Sequence, residues 1–484
     1  MEVSNLLGGM HRAAIDGGVR ERRDPGDRRR LVAVSPDSGA RDVEAALDSA
    51  AAGSRAWART PIACRLELLE GALRLLESDA EGLAYLTVLE SGKTLEECRG
   101  EVIRAIATVR YQLGVASAVA TDDFGITDGV AARVDRVPVG IAAVITPWNF
   151  PFSALLRKIV PALAMGNAVV AKPSELSPLA AFRIGQALVQ AGLPEGVISI
   201  LHGGGTAGAA LVNDARVGAV SFTGSTEVGL GIARQTAGRE VKVQLEMGGK
   251  NPLVILSDAD IDRAIEHAVA GAFTAAGQWC VAASRVIVEE PTAHAVASRL
   301  AERAAAIRVG HGLDPASQMG ALVSPEHFAK VERALALAAH DATVLVGGEP
   351  IHTGGREHGE FIAPTVLSDV AAGSSLLRDE IFGPVVTVES ADSLEHAIEL
   401  AGSSGYGLSA SVYTSSRASA DAFVAGVTSG KVSINRPPNH GDARVPSGGR
   451  RASGRGEGEG GKAGLCFYSY DRAVFVDGGE SGLR

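Results

Sequence analysis

Cysteine is scarce in this chain: 484 residues hold only Cys64, Cys98, Cys280 and Cys466, with no CxxC pair. That excludes a disulfide framework and a cysteine zinc site, and it suits free thiols in a reducing, cytoplasmic setting. No metal site is expected. Long apolar runs are missing too, since no window approaches the ~20 continuous apolar residues a membrane span needs. The N-terminus, MEVSNLLGGMHRAAIDGG, lacks a basic segment followed by an apolar run and a small-residue cleavage site, so no secretory signal is expected. Positive charge is not in excess. A net charge of −10 argues against nucleic acid or an anionic membrane as the main partner.

What remains is an ordinary globular composition, 46% hydrophobic and 21% charged. The length exceeds what one hydrophobic core supports, so two or more domains are expected. The charge run RERRDPGDRRR (20–30) reads as a solvated loop around a Pro-Gly turn. From 41 to 118 the pattern is helical, with Leu66, Leu69, Leu73 and Leu76 recurring at the spacing of one buried face. Residues 121–138 read as a hairpin.

From Gly140 onward strands and helices alternate. Strands are expected at 141–146, 167–174, 197–201, 219–225 and 242–249, and helices at 152–165, 178–192 and 226–237. This pattern implies a largely parallel, doubly wound sheet. A second α/β run follows from about Pro252 to Asn435, with strands at 284–289, 343–346 and 385–388 and helices at 258–276, 292–307, 326–340 and 393–402. The Pro/Gly-rich stretch 436–461 reads as a loop, and 467–476 as a strand.

Candidate chemistry collects at the ends of these strands. GGGTAG (203–208) matches GxGxxG, but no acidic residue completes a dinucleotide fingerprint, so it reads as a tight turn. Gly224-Ser225 lies where a strand delivers a helix N-terminus, a place suited to phosphate; an ordinary capped helix with Ser225 as N-cap explains it equally well. Lys172 and Glu175, after another strand, can bond ribose hydroxyls, and Glu175 would repel a 2′-phosphate, favouring NAD over NADP. Asn149, after Trp148, offers an amide donor for an oxyanion or merely holds a turn. Cys280, after Gly277-Gln278-Trp279, is a nucleophile or a small buried hydrophobe. Glu246 is a candidate base or a surface charge, and Glu380 taken alone reads as a surface charge. Spacing alone does not choose between these readings.

The ordered set PWNFP, KPSE, FTGSTEVG, LEMGGKNP, FxxxGQxC and EIFGPV resembles the aldehyde dehydrogenase superfamily, from about Arg41 to about Val476. The resemblance implies an α/β fold: a Rossmann-like cofactor domain (1–120 and 139–248), an α/β catalytic domain (249–445) and an oligomerisation arm (121–138 and 462–484). The arm's last strand would add to a neighbour's sheet edge. A Gly/Arg-rich loop (446–461) would lie near the substrate entrance. The protein would be a homodimer or homotetramer.

The resemblance also implies roles. Cys280 is the nucleophile, Asn149 and the Cys280 N–H hold the oxyanion, and Glu246 activates the water that releases a free acid. Lys172, Glu175, Gly224, Ser225, Trp148, Glu380 and Phe382 would hold NAD. Ser447 stands where the family commonly has an aromatic. The family's relay glutamate falls on Gly458, with Glu457 and Glu459 beside it, which leaves its replacement open. Arg157 and Arg104 match positions where relatives carry arginines facing anionic substrates; each also suits a salt bridge. With Trp279 narrowing the pocket, a small aldehyde with a polar or anionic tail is expected. The alternatives are an aromatic aldehyde and a catalytically silent structural homologue.

Overall fold

The computed structural model describes residues 1–477, and the end of the expected arm segment (478–484) lies outside the described residues. Two sheets organise the chain. The first has eight strands in the spatial order Met10–Arg12, Asn5–Leu7, Ile198–Ile200, Ala168–Lys172, Ile141–Ile145, Val217–Thr223, Lys242–Glu246 and Gly454–Gly456. The middle strands, from Ile198–Ile200 to Lys242–Glu246, run parallel, and the flanking strands pair antiparallel.

Ile141–Ile145 is buried along its whole length because both faces are covered. Ala142 and Val144 point into one core with Phe152 and Leu156, and Ile141, Ala143 and Ile145 into the other with Val43 and Leu47. The leucine face read from the sequence is real: Leu69, Leu73 and Leu76 of helix Ile62–Ser78 are buried, each stabilising the fold by about 1.5–3 kcal/mol.

The second sheet runs Thr343–Val346, Thr365–Ser368, Val385–Ala391, Ala283–Glu289, Asn251–Ile255, Ser409–Tyr413, Lys431–Ile434, parallel except for its first pair. Four of these strands, at 251, 365, 409 and 431, escape the sequence reading; each is short, and their partners lie far away in the chain. Only residues 247–250 separate the first sheet's Lys242–Glu246 from the second sheet's Asn251–Ile255.

Two expectations are corrected. The charge run 20–30 is not a solvated loop but the turn of a hairpin, Val19–Asp24 with Asp27–Pro36. Within it Arg22 is buried, donating to the carbonyls of Glu90 and Val323. The stretch 436–461 is not wholly loop: Gly454–Gly456 joins the first sheet and Arg450–Arg451 pairs with Tyr406–Gly407. The C-terminal strand Ser469–Asp477 pairs with Val130–Pro138 of its own chain, completing a three-stranded sheet with Thr121–Thr127. Among the described residues no helix is long and apolar enough to cross a membrane.

Candidate active site

In the first sheet, Ile141–Ile145 and Val217–Thr223 are neighbours from which the strand order runs in opposite directions. Such a switch point opens a crevice at the carboxyl ends of the strands. Trp148 and Asn149 leave one of these ends, Lys172 and Glu175 the adjacent one, and Gly224 and Ser225 the other side. Ser225 does cap helix Thr226–Thr236, its Oγ accepting from Val228 N at 3.3 Å. The first turn of a helix leaves further N–H groups without intrahelical partners, and Val228 beside them is 52% exposed. Lys172 is buried, with Nζ donating to the carbonyls of Pro173 (2.9 Å) and Gly203 (3.1 Å) and lying 3.7 Å from Glu175. A fixed ammonium, a part-exposed carboxylate and a helix N-terminus on one edge fit a dinucleotide's ribose and pyrophosphate. The GGGTAG turn belongs to this edge, since Gly203 O is a partner of Lys172.

The chain crosses between the sheets at 247–250, and the loop carrying Cys280 faces that crossing. Helix Ile261–Phe273 ends in a tight turn where Ala275, Ala276 and Gly277 all take positive φ, at 54°, 54° and 68°. For alanine this conformation costs roughly 1–2 kcal/mol per residue, so the surroundings must hold it. Glu97 Oε1 accepts from Ala275 N at 2.7 Å, and its other oxygen caps helix Leu95–Val119 by accepting from Thr94 N. Gln278 bridges Ala275 O (3.0 Å) and Val323 N (2.9 Å). Asn149 Nδ2 donates to Gln278 O at 2.8 Å, and Asn251 Nδ2 to Cys280 O at 2.8 Å. A Cβ on Gly277 would run into Gly383 O, and one on Gly249 would press on Cys280 O. The amide of Asn149 is thus oriented by one N–H, and its other N–H makes no hydrogen bond among the described residues.

Two carboxylates share this space. Glu246, at the end of its strand, accepts from Gly449 N at 3.3 Å. Glu380 accepts from Gly249 N at 2.9 Å, and its carboxylate packs where a side chain on Gly248 would sit. Burial raises the pKa of both. Burial also pushes the Cys280 thiol up to about 12, with Glu380 and Glu246 adding to the rise and Lys431 and Arg157 opposing it. At neutral pH the resting thiol is therefore protonated, and a base must accompany its attack.

Beneath Glu246 lies a pair that the sequence reading missed. Lys158 is buried, its Nζ in contact with Glu459 Oε1 and 3.0 Å from Ser221 Oγ. Its charge holds the Glu246 pKa down against burial. The two glutamates at 457–459 part company here: Glu459 reaches Lys158, whereas Glu457 pairs with Lys242 at 2.8 Å. Ser447 bonds Glu459 backbone to backbone in both directions, which pins that glutamate.

Arg157 lines the same cleft, 3.7 Å from Glu459, and its Nε has no hydrogen-bond partner among the described residues. About a third of its side-chain surface faces the cleft, yet the surrounding protein is close enough for desolvation to lower its pKa. Trp279 packs on Phe150 at 4.8 Å, and Lys93 lies 4.1 Å over the far partner's ring. On the cofactor side Trp148 and Phe382 meet edge to face at 5.5 Å, with His327 holding Phe382 O at 2.7 Å. Phe382 itself has a positive φ of 62°. Arg104 does not join the cluster. It is exposed on helix Leu95–Val119 with its guanidinium against Gly100, and among the described residues nothing links it to Cys280 or Arg157.

Glu97, Gln278, Asn251, Lys158 and His327 are the parts that sequence reasoning passed over. Each works through a partner distant in the chain; the only local signals were the Thr94–Glu97 capping spacing and the adjacency of Lys158 to Arg157.

Comparison with known proteins agrees with this geometry. The sequence matches the aldehyde dehydrogenase family over residues 16–474. It is 34% identical to the alpha-ketoglutaric semialdehyde dehydrogenase of Bacillus subtilis over 98% of this chain and 97% of that one. It is 37% identical to a betaine aldehyde dehydrogenase of Cereibacter sphaeroides over 90% of this chain and 89% of the relative. The structure superimposes on the NAD+ complex of an aldehyde dehydrogenase from Bacillus cereus with a TM-score of 0.94 and 33% identity, covering 99% of this chain and 97% of that one. With the family matched along nearly the whole chain and the fold shared from end to end, this protein belongs to the aldehyde dehydrogenase family.

Proposed function

We propose that the protein oxidises a small aldehyde bearing an anionic tail to the free carboxylic acid, with NAD as hydride acceptor. The observation that carries the substrate class is Arg157, a guanidinium with an unpartnered Nε in the cleft that also holds Cys280. Such a group grips carboxylate oxygens. The B. subtilis relative is named for a carboxylate-bearing semialdehyde and the C. sphaeroides relative for a quaternary ammonium aldehyde. A cationic substrate would be repelled by Arg157, and Ser447 removes an aromatic wall that could stack on it. The Phe150–Trp279 wall favours a second reading, a benzaldehyde-like substrate.

In this reading Cys280 Sγ adds to the aldehyde carbon as its proton passes to Glu246, which gives it up to solvent before hydrolysis, and the Asn149 amide and Cys280 N–H stabilise the resulting oxyanion. Bound along Lys172, Glu175 and Ser225, with Trp148, Phe382 and Glu380 towards the reacting end, NAD supplies the hydride acceptor. Glu246 then takes a proton from water attacking the thioester at Cys280, and the acid leaves with the thiol restored. Glu246 raised towards neutrality suits that task better than an ordinary carboxylate does. Assembly as a homodimer or homotetramer through the three-stranded arm is supported by Phe124, Ile126 and Phe475, which are 68%, 66% and 71% exposed on it.

The test is NADH formation across a panel of succinate semialdehyde, hexanal, benzaldehyde and betaine aldehyde. Succinate semialdehyde is expected to lead in kcat/KM. Equal values for it and hexanal would defeat the anionic-tail reading. Cys280→Ala is expected to abolish oxidation while NAD binding survives, and turnover near wild type would defeat the nucleophile assignment.

A further inference from the structure

Lys431 opens the edge strand Lys431–Ile434 of the second sheet, in register with Ser409. Ser409 N donates to Asn251 Oδ1 at 3.1 Å, and Asn251 Nδ2 holds Cys280 O. Lys431 is therefore tied to the nucleophile through one strand and one side chain. The preceding Gly430 donates to Gly407 O at 3.0 Å and is packed so tightly against Gly448 O that no Cβ fits. Gly448 in turn lies beside Glu246, where an added Cβ would be 3.1 Å from Oε1. Val432, the next residue, packs into the core formed with Val254 and Val412. Side chains alternate along a strand, so Lys431 leaves from the opposite face.

The titratable groups that sense Lys431 are the Cys280 thiol and Arg157. Among the described residues it has no salt bridge and no side-chain hydrogen bond. Burial pulls its pKa down to about 8. A half-buried ammonium without a carboxylate, next to a guanidinium that is also incompletely paired, is an unfavourable arrangement unless an anion completes it. Nothing in the packing of the strand requires a lysine there.

We infer that Lys431 and Arg157 form a two-cation clamp for the carboxylate of the aldehyde substrate, with Lys431 approaching from the second sheet and Arg157 from helix Pro151–Ala164, which packs on the first. The inference rests on the anionic-aldehyde reading and extends it by naming a second specificity-determining residue. One cation can be satisfied by many polar tails, whereas two from different elements select a full negative charge at a set distance from the reacting carbon. The acid product is then a dicarboxylate.

The experiment compares kcat/KM for succinate semialdehyde and butanal in wild type, Lys431→Met, Lys431→Gln and Lys431→Arg. It also measures alkylation of Cys280 by iodoacetate and iodoacetamide, a readout that needs neither substrate nor cofactor. Wild type is expected to favour the anionic aldehyde, chiefly through KM. Met and Gln are expected to cut that preference about tenfold to a hundredfold, as loss of a charged hydrogen bond does, and to lower the iodoacetate-to-iodoacetamide rate ratio. Arg is expected to restore both. A preference and an alkylation ratio that survive in the folded Met or Gln variant overturn the role of Lys431 while leaving the substrate reading intact. A wild type without preference overturns the substrate reading, and this inference with it.

Discussion

Glu459→Gln removes one charge from beneath the active site and leaves its volume nearly unchanged. Glu459 contacts the buried Lys158, lies 3.7 Å from Arg157 and is 3.4 Å from Thr223 Oγ1. Without the carboxylate, Lys158 must remain charged and poorly paired, with Ser221 Oγ at 3.0 Å, or lose its proton. Neutralising a lysine of ordinary pKa at pH 7 costs about 4.6 kcal/mol, which caps the penalty. The neutral amide and Ser221 recover part of it, so a loss of about 2–4 kcal/mol is expected, or roughly 2–4 °C in Tm for a chain of this length.

The pH dependence has a definite sign. Burial depresses the folded-state pKa of Lys158. In the variant the unfolded chain therefore binds a proton that the folded chain resists, and the deficit is full only below the folded-state pKa, about 7 in the wild type and lower without the carboxylate. It shrinks as pH rises towards the ordinary lysine value. Catalysis shifts as well. Loss of the Lys158 charge lets the Glu246 pKa rise further, so the ascending limb of the pH–kcat profile moves to higher pH. Thermal melts at several pH values and pH–rate profiles test both parts. A variant with the wild-type Tm and an unmoved limb would refute the reasoning.

Asn149→Ala should lower kcat/KM by about 10²–10³, the cost of one oxyanion donor, while Cys280 still reacts with iodoacetamide; a loss below tenfold contradicts the oxyanion role. Glu246→Gln should give a stoichiometric burst of NADH without steady turnover, seen by stopped-flow absorbance, and unaltered turnover contradicts its part in thioester hydrolysis. Gly277→Ala places a Cβ against Gly383 O at a positive φ, so displacement of the nucleophile loop should cut both activity and Cys280 alkylation more than tenfold; wild-type rates for both would show that the turn yields.

The helical N-terminal segment and the βα alternation from Gly140 were legible because each depends on local periodicity. Leu69, Leu73 and Leu76 share a face whatever surrounds them, and a strand buried on both sides, such as Ile141–Ile145, must be apolar throughout. The hairpin at 20–30 was misread since its arginines look solvated until Arg22 meets the carbonyls of Glu90 and Val323. The stretch 436–461 looked like loop because glycines hide pairing that only a distant strand supplies.

By itself the sequence determined the family, through six ordered motifs, and it singled out Cys280, Glu246 and Asn149 as candidates. Tertiary structure alone decided which groups meet. It placed Glu459 rather than Glu457 on Lys158, tied Glu97 to the nucleophile loop, left Arg104 outside on its helix, and brought Lys431 from the far sheet to the nucleophile. Charge and hydrogen-bonding act through space over a few ångströms, and residues separated by hundreds of positions in the chain become neighbours only when two sheets close on one crossing.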